Sequence, residues 1–111
     1  EAKQTYKNGF SVKFMIPHPE YIGEGQYKLL RFICINKERF NPINFGIDYH
    51  KDGYDGVASF WFDSSKYNFS VYSDTVDCSI IAKQYGGGGH KGAAGFILNK
   101  EQFNNLINNN K

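Results

Sequence analysis

The first third of the chain contains two segments whose hydrophobic patterns predict β-strands. Residues 10–16 (FSVKFMI) have the period-two alternation of a half-buried strand. We expect this strand to end before Pro17, because proline cannot donate a hydrogen bond to a ladder. Residues 29–35 (LLRFICI) have the β-branched and aromatic content of a second strand. The many turn-forming residues between 37 and 54 leave room for at most one short helix, at 43–48.

The middle of the chain predicts a β-hairpin. Residues 57–62 (VASFWF) and 67–72 (YNFSVY) both have strand composition, and the four residues 63–66 suit a tight connection between them. Because successive side chains of a strand point to opposite faces, Ser70 and Tyr72 share one face of the second strand. We expect this face to run towards the helix and the glycine-rich segment that follow.

A short helix is predicted after the hairpin. Asp77 is a suitable N-cap, and Ile80, Ile81 and Tyr85 are spaced for one helical face. Gly86 occupies the position at which a helix commonly ends in a left-handed residue. The first glycine of the following run therefore has a structural role.

The end of the chain predicts a strand at 93–98 and a C-terminal helix. Asn99 and Gln102 have the spacing of a capping box, and Phe103 and Leu106 begin the apolar stripe of that helix. Together the elements predict an α+β domain with two main helices and about five strands in a mixed or largely antiparallel sheet. The pattern leaves the order of the strands open.

Composition and charge limit the classes of function. The 111 residues are enough for one domain with its own core. The formal net charge of +2 is too small for the basic face of a duplex-binding protein and favours a short nucleic acid or a nucleotide. No segment approaches the roughly 18 apolar residues that cross a bilayer, so no membrane association is expected. Cys34 and Cys78 are expected to be buried, reduced thiols of a cytoplasmic protein.

Six glycines occur within ten residues near the C-terminus, beginning with the run GGGGH. Glycine inside a regular element costs roughly 0.5–1 kcal/mol relative to alanine, so such a cluster indicates positive φ angles or a ligand close to the backbone. We expect the N–H groups of Gly87, Gly88 and Gly89 to form an anion-binding nest for a phosphate. The side chains of His90 and Lys91 would supply further donors.

Three other interpretations of this segment are weaker. A flexible linker would not lie between two strongly patterned flanks. A dinucleotide fingerprint requires a strand before the glycines and a helix after them, and here the order is reversed. A Walker-type phosphate loop requires glycine before its lysine and Ser or Thr after it, whereas Lys91 lies between His90 and Gly92.

Residues 76–96, with Ile81-Ala82, the GGGGH run and the AAGF strand, resemble the signature of the DHH-associated C-terminal domain of DHH-family phosphoesterases. This family includes oligoribonucleases, RecJ-type exonucleases and cyclic-dinucleotide phosphodiesterases. The resemblance implies that residues 1–111 are one substrate-binding domain of a longer, two-lobed protein. An N-terminal catalytic DHH lobe of the same protein would bind two manganese ions. A chain that begins at Glu1 without methionine fits such a fragment.

The resemblance also implies roles for individual residues. The backbone of the glycine run would approach a phosphate or nucleotide, His90 would contact the phosphate, and the preceding strand would supply a Ser-x-x-Ser element. The residues implied in this way are Gly87, Gly88, Gly89 and His90 in the run, and Ser70, Tyr72 and Ser73 in the Ser-x-x-Ser element. Many oligoribonucleases of the family have arginine where this chain has Tyr72. Tyrosine can stack on a base but cannot grip a phosphate bidentately, which leaves the choice of substrate open.

Two functions remain open at this stage. The three histidines, His18, His50 and His90, are far apart in the sequence, so no hydrolytic metal centre is expected from this chain alone. The first hypothesis is the substrate-binding lobe of a phosphodiesterase or exonuclease-type hydrolase acting on short single-stranded oligonucleotides or small nucleotides. The alternative is a non-catalytic nucleic-acid-binding module, similar to the related domain of alanyl-tRNA synthetases.

Overall fold

A computed structural model describes residues 9–17, 27–36 and 49–108. The short helix predicted at 43–48 lies outside these residues. The described chain forms, in order, β1 (Phe10–Pro17), β2 (Tyr27–Asn36), a 3-10 helix (Tyr49–Asp52), β3 (Gly56–Phe62), β4 (Tyr67–Tyr72), α1 (Cys78–Gln84), β5 (Gly88–Gly89), β6 (Ala93–Leu98) and α2 (Lys100–Asn108).

The described strands form a six-stranded sheet in the order β1-β2-β3-β4-β6-β5. The β2–β3 pair is parallel, and the other neighbouring pairs are antiparallel. The predicted α+β class, with a mixed sheet and two main helices, is thus confirmed. The sixth strand is the two-residue β5, which lies inside the glycine run and has no hydrophobic pattern of its own.

The prediction that the first strand ends before Pro17 is wrong by one residue. Pro17 is the last residue of β1 and lies opposite Tyr27 in the antiparallel register. Among the described strands, β1 is at one end of the sheet order. An edge strand tolerates proline at its terminus, because the missing N–H is not needed by a second neighbour.

Both helices pack against one face of the sheet and bury the main hydrophobic core. Phe69 stacks on Phe96 at 5.1 Å between ring centroids, and Phe96 stacks on Tyr85 at the end of α1 at 4.7 Å. Phe103 of α2 stacks on Tyr67 at 3.8 Å. The alternation predicted for residues 67–72 is therefore correct, since Tyr67, Phe69 and Val71 face this core.

The opposite face, called the outer face below, has a smaller hydrophobic cluster over β2 and β3. This cluster consists of Ile33, Ile35, Val57 and Tyr49, with Tyr54 packed against it. Beside β5, the outer face carries Gly95 of β6 and Ser70 of β4, which lie in one row across the strands. The sheet therefore leaves a shallow surface beside the glycine run.

Both predicted helix caps are confirmed. The Asp77 carboxylate accepts a hydrogen bond of 3.0 Å from the N–H of Ser79 at the start of α1. Asn99 and Gln102 form a reciprocal capping box, with side-chain to backbone distances of 2.8 and 2.9 Å. Within the described part of the chain, no helix is long and apolar enough to span a membrane.

Candidate functional site

The first two glycines of the run complete the C-terminal cap of α1. Gly86 has φ +81° and donates its N–H to the carbonyl oxygen of Lys83 at 3.1 Å. Gly87 donates its N–H to the carbonyl oxygen of Ala82 at 2.9 Å. This pair of bonds is a Schellman motif. The predicted three-membered nest is therefore wrong at its first member, because the Gly87 N–H is already used.

The next two glycines form the edge strand of a tight hairpin. His90 and Ala93 exchange backbone hydrogen bonds of 2.8 and 3.3 Å around the two-residue turn Lys91-Gly92. In an antiparallel ladder the next pair, Gly89 opposite Ala94, is not hydrogen-bonded. The N–H of Gly89 therefore points away from β6, off the edge of the described sheet, where it can donate to an external acceptor.

The hairpin turn is held against the start of α1. The N–H of Cys78 donates to the carbonyl oxygen of Lys91 at 2.8 Å, and the N–H of Ser73 donates to that of Gly92 at 3.2 Å. These two bonds fix the turn relative to the end of β4. His90 and Lys91 consequently project from an ordered backbone, and both are exposed.

Three of the four consecutive glycines are required by the fold itself. A Cβ on Gly87 would lie 2.1 Å from the carbonyl oxygen of Gly95, and one on Gly89, whose φ is +147°, would lie 2.6 Å from the Cα of Ala94. The left-handed conformation at position 86 requires glycine. Gly88 differs, because its φ is not positive and a Cβ there would meet no atom within 4 Å. Gly88 is thus the member of the run that no internal contact explains.

A shallow cavity of about 270 Å³ lies on the outer face beside the run. It joins four of the predicted site residues, since the lining comprises Ser70, Tyr72, Gly88, Gly89, Ala93, Ala94 and Gly95. Gly87, Ser73, His90 and Lys91 do not line it. His90 directly follows Gly89, so its side chain starts at the rim. A larger cavity of about 530 Å³ between β1 and the helix ends contains none of the predicted residues.

Ser73 belongs to the framework. Its side chain is buried, and its hydroxyl donates to the carbonyl oxygen of Asp55 at 2.7 Å. The same oxygen accepts hydrogen bonds from the N–H groups of Thr75 and Val76 at 3.1 and 3.0 Å. These hydrogen bonds use the proton and the lone pairs of the Ser73 hydroxyl and stabilise the connection between β4 and α1. This hydroxyl has no proton left for a ligand.

Sequence reasoning missed an interaction between the 3-10 helix and the β4–α1 connection. Asp74 accepts hydrogen bonds from the hydroxyl of Tyr49 at 2.9 Å and pairs with Nε2 of His50 at 2.6 Å. The bond with His50, and then that with Tyr49, lowers the pKa of the Asp74 carboxyl. These residues are 24 and 25 positions apart, and no local motif signals their contact.

Charge near the hairpin turn is partly balanced. The pKa of Asp77 is lowered by its hydrogen bonds with Ser79, with smaller contributions from the charges of Lys91 and Lys83. The positive charge of Lys91 is therefore partly balanced by the nearby carboxylate of Asp77. His90 has no such partner among the described residues and is the better placed of the two side chains to meet an anion.

The two cysteines are buried free thiols, as predicted. Burial, with a smaller effect from the Asp77 charge, raises the pKa of Cys78 to about 12, and burial raises the pKa of Cys34 still further. Within residues 9–17, 27–36 and 49–108, no three His, Cys, Asp or Glu side chains cluster as metal ligands would.

No family model and no curated protein matches this sequence. Among solved structures, the chain is similar to the pGpG-specific phosphodiesterase PggH from Vibrio cholerae, with a TM-score of 0.50 and 15% sequence identity. The similarity covers 72% of this chain and 31% of that one, so this chain spans less than a third of the neighbour's length. At this identity the comparison establishes a shared fold, and the structural neighbour of the α+β domain is part of a phosphodiesterase.

Proposed function

We propose that this chain is the nucleotide-binding lobe of a DHH-type phosphoesterase that acts on short single-stranded oligonucleotides or small nucleotides. The observation that carries the proposal is the outer-face cavity, in which Ser70 and Tyr72 of β4 lie beside Gly88 and Gly89 of β5. These residues are far apart in sequence and were singled out by a resemblance that does not depend on the fold. The likeness to a pGpG-specific phosphodiesterase supports the same assignment.

The phosphate would bind at the β5 edge. There the outward N–H of Gly89 and the side chain of His90 provide donors, and the absence of a side chain on Gly88 lets the ligand approach the backbone. Hydrogen bonds from such donors to a charged phosphate are roughly twice as strong as those between neutral groups. Tyr72 would lie against the sugar or base, since a tyrosine ring can stack on any nucleobase.

The cavity is small for a complete oligonucleotide. Small-molecule sites typically enclose about 300–1,000 Å³, and this cavity of about 270 Å³ lies just below that range. It suits one terminal nucleotide. The rest of the substrate, and the manganese ions that activate water in the proposed catalytic lobe, would lie outside this chain. The function proposed for the chain itself is binding and orientation.

Calorimetric titration of the chain with pGpG, a tetranucleotide and a tRNA tests the proposal. We expect binding of the two short ligands and a loss of affinity of at least tenfold in Tyr72→Ala and His90→Ala, with unchanged melting temperatures. Ser65→Ala, in the β3–β4 turn, is the control and should bind as the wild type does. Tight, steeply salt-dependent binding of tRNA alone would instead support the non-catalytic nucleic-acid module.

A further inference from the structure

A row of small residues crosses four strands of the outer face and ends in the cavity. The register places Ser59 of β3 opposite Ser70 of β4, Ser70 opposite Gly95 of β6, and Gly95 opposite Gly88 of β5. The last three residues of the row line the cavity. Ser59, one strand further in, has no counterpart among the residues predicted from the sequence.

Ser59 is a buried polar residue without a partner. Its side chain has 0% exposure, and among the described residues its Oγ is the buried side-chain atom that makes no hydrogen bond. Its neighbours Ala58 and Phe60 belong to the helix-covered core, so alternation points Ser59 towards the outer face. Buried hydroxyls are nearly always hydrogen-bonded, and an exception of this kind calls for an explanation.

Ser70 lies directly opposite Ser59 in the antiparallel register. Side chains directly opposite each other in an antiparallel pair have Cβ atoms about 4.5–5.5 Å apart, a separation at which paired hydroxyls can hydrogen-bond. A rotation of one side chain would thus give the unpartnered Ser59 Oγ an acceptor.

The position of Ser70 indicates which part of a nucleotide it would contact. Neighbouring strands are about 4.7–4.9 Å apart, and Ser70 lies two strands from β5, so about 10 Å separates it from the phosphate donors at the β5 edge. This distance is too great for both groups to hold one phosphate. The part of the nucleotide that contacts Ser70 would be a neutral hydrogen-bonding group, either a ribose hydroxyl or the edge of a base.

We propose that Ser59 is a positioning residue for nucleotide binding, an inference that rests on the proposed function. When a nucleotide accepts the proton of Ser70, Ser70 Oγ becomes the acceptor for Ser59, and the chain Ser59–Ser70–ligand satisfies both hydroxyls. In the free structure Ser59 Oγ is unpartnered, and a ligand that accepts the Ser70 proton selects the Ser70 rotamer in which Ser59 gains its acceptor. Ser59 thus favours the bound state without touching the ligand.

Replacing Ser59 by alanine therefore has opposite effects on stability and affinity. Loss of an unsatisfied buried hydroxyl should raise the melting temperature of the free protein by a few degrees. Loss of one net hydrogen bond in the complex should weaken pGpG binding about 2- to 12-fold, as measured by calorimetry. In the Ser70→Ala background, Ser59→Ala should change the affinity no further, because its acceptor is gone.

Ser11→Ala is the matched control on the same face of the sheet. Ser11 Oγ has partners, Tyr54 Oη at 3.1 Å and Arg31 Nη2 at 3.3 Å, so this variant should melt at a lower temperature and bind pGpG as the wild type does. Repeating the titrations with the deoxy form of the dinucleotide identifies the group above Ser70. If Ser59→Ala no longer weakens binding of the deoxy dinucleotide, the group above Ser70 is the ribose hydroxyl. If the loss of affinity persists with the deoxy dinucleotide, the group is the base edge. Either result supports the hydrogen-bond chain.

Other outcomes overturn the inference. Three results would contradict the hydrogen-bond chain but leave the proposed function intact. They are a Ser59→Ala variant with wild-type affinity for pGpG, one with a lower melting temperature, and one whose effect adds to that of Ser70→Ala. A wild-type chain that binds no short nucleotide would contradict the proposed function together with the role of Ser59. The affinities of the wild type and of Tyr72→Ala separate these two failures.

Discussion

The backbone N–H of Cys78 donates a 2.8 Å hydrogen bond to the carbonyl oxygen of Lys91, which joins the start of α1 to the turn of the β5–β6 hairpin. The other end of α1 is joined to the same hairpin through the Schellman bonds of Gly86 and Gly87. The glycine run is therefore attached to one helix at both ends. Its conformation depends on the helix and on the edge of the sheet together.

Gly88 and Gly89 should respond differently to alanine. Gly88→Ala introduces a methyl group into open space at an ordinary φ, so the free energy of unfolding should change by less than about 0.5 kcal/mol while nucleotide affinity falls. Gly89→Ala forces an alanine to φ +147° against Ala94, and we expect a loss of about 1–3 kcal/mol. Urea unfolding and calorimetric titration of both variants measure these effects.

The comparison between the two variants shows whether a loss of nucleotide affinity in Gly88→Ala could come from misfolding. If Gly88→Ala kept wild-type affinity while remaining as stable as the wild type, close approach of a ligand to this backbone would be excluded. A Gly89→Ala protein of unaltered stability would show that the hairpin adopts a different conformation in solution.

Ser73→Ala should affect stability. Its hydroxyl donates to Asp55 and accepts from the N–H groups of Thr75 and Val76, so truncation removes three hydrogen bonds to the backbone, of which the one to Val76 is buried. We expect a loss of about 1–3 kcal/mol in the free energy of unfolding, measured in urea. Tyr72→Ala, one residue earlier, should show the reverse pattern of weak binding and near-normal stability. Equal stability of Ser73→Ala and the wild type would contradict this role.

Stability should decrease in acid. Hydrogen bonds lower the pKa values of three carboxyls, of which Asp74 bonds to His50, Asp77 to Ser79 and Asp63 to Asn68. A group whose pKa is lower in the folded state contributes stability that is complete above its unfolded value of about 3.9 and is lost as the pH falls through the folded value. Urea midpoints should therefore fall as the pH is lowered below about 4.

Asp77→Asn is the control for this pH dependence. Asparagine caps a helix nearly as well as aspartate but does not titrate in this range, so the variant should be about as stable as the wild type at pH 7 and lose less stability in acid. A wild-type midpoint that is the same at pH 3 and pH 7 would contradict the assigned pKa shifts.

The thiols should be unreactive in the native protein. Burial and the raised pKa of Cys78, to about 12, leave almost no thiolate at pH 8, and burial raises the pKa of Cys34 further. A thiol reagent such as DTNB should label both cysteines only after the addition of denaturant. Rapid labelling of either cysteine without denaturant would indicate local opening of the core around it.

Local patterns were sufficient to predict most of the elements of this fold. Alternation located β1, strand-type composition located β2 to β4, and the caps at Asp77 and Asn99 located the helix starts, because these signals depend on residues close together in the sequence. The strand β5 could not be predicted, since two glycines carry no pattern and their pairing depends on the distant β6. The order of the strands was likewise beyond a local pattern.

The candidate site was predictable in part for the same reason. The composition of the run identified Gly88 and Gly89, whereas the internal use of Gly87 and Ser73 became visible only with their hydrogen-bond partners in place. The contact of His50 with Asp74 and the unpartnered Ser59 depend on residues that are brought together by the sheet. Neither is encoded by neighbours in the sequence.

The attachment of the glycine run at both ends has a consequence for the energetics of recognition. A free tetraglycine segment would lose about 1–2 kcal/mol of backbone entropy per residue on being ordered by a ligand. Here folding has already met that cost through the Schellman bonds and the pairing of β5 with β6. A nucleotide would meet a preorganised surface, so its affinity would depend on the contacts it makes and very little on ordering the chain.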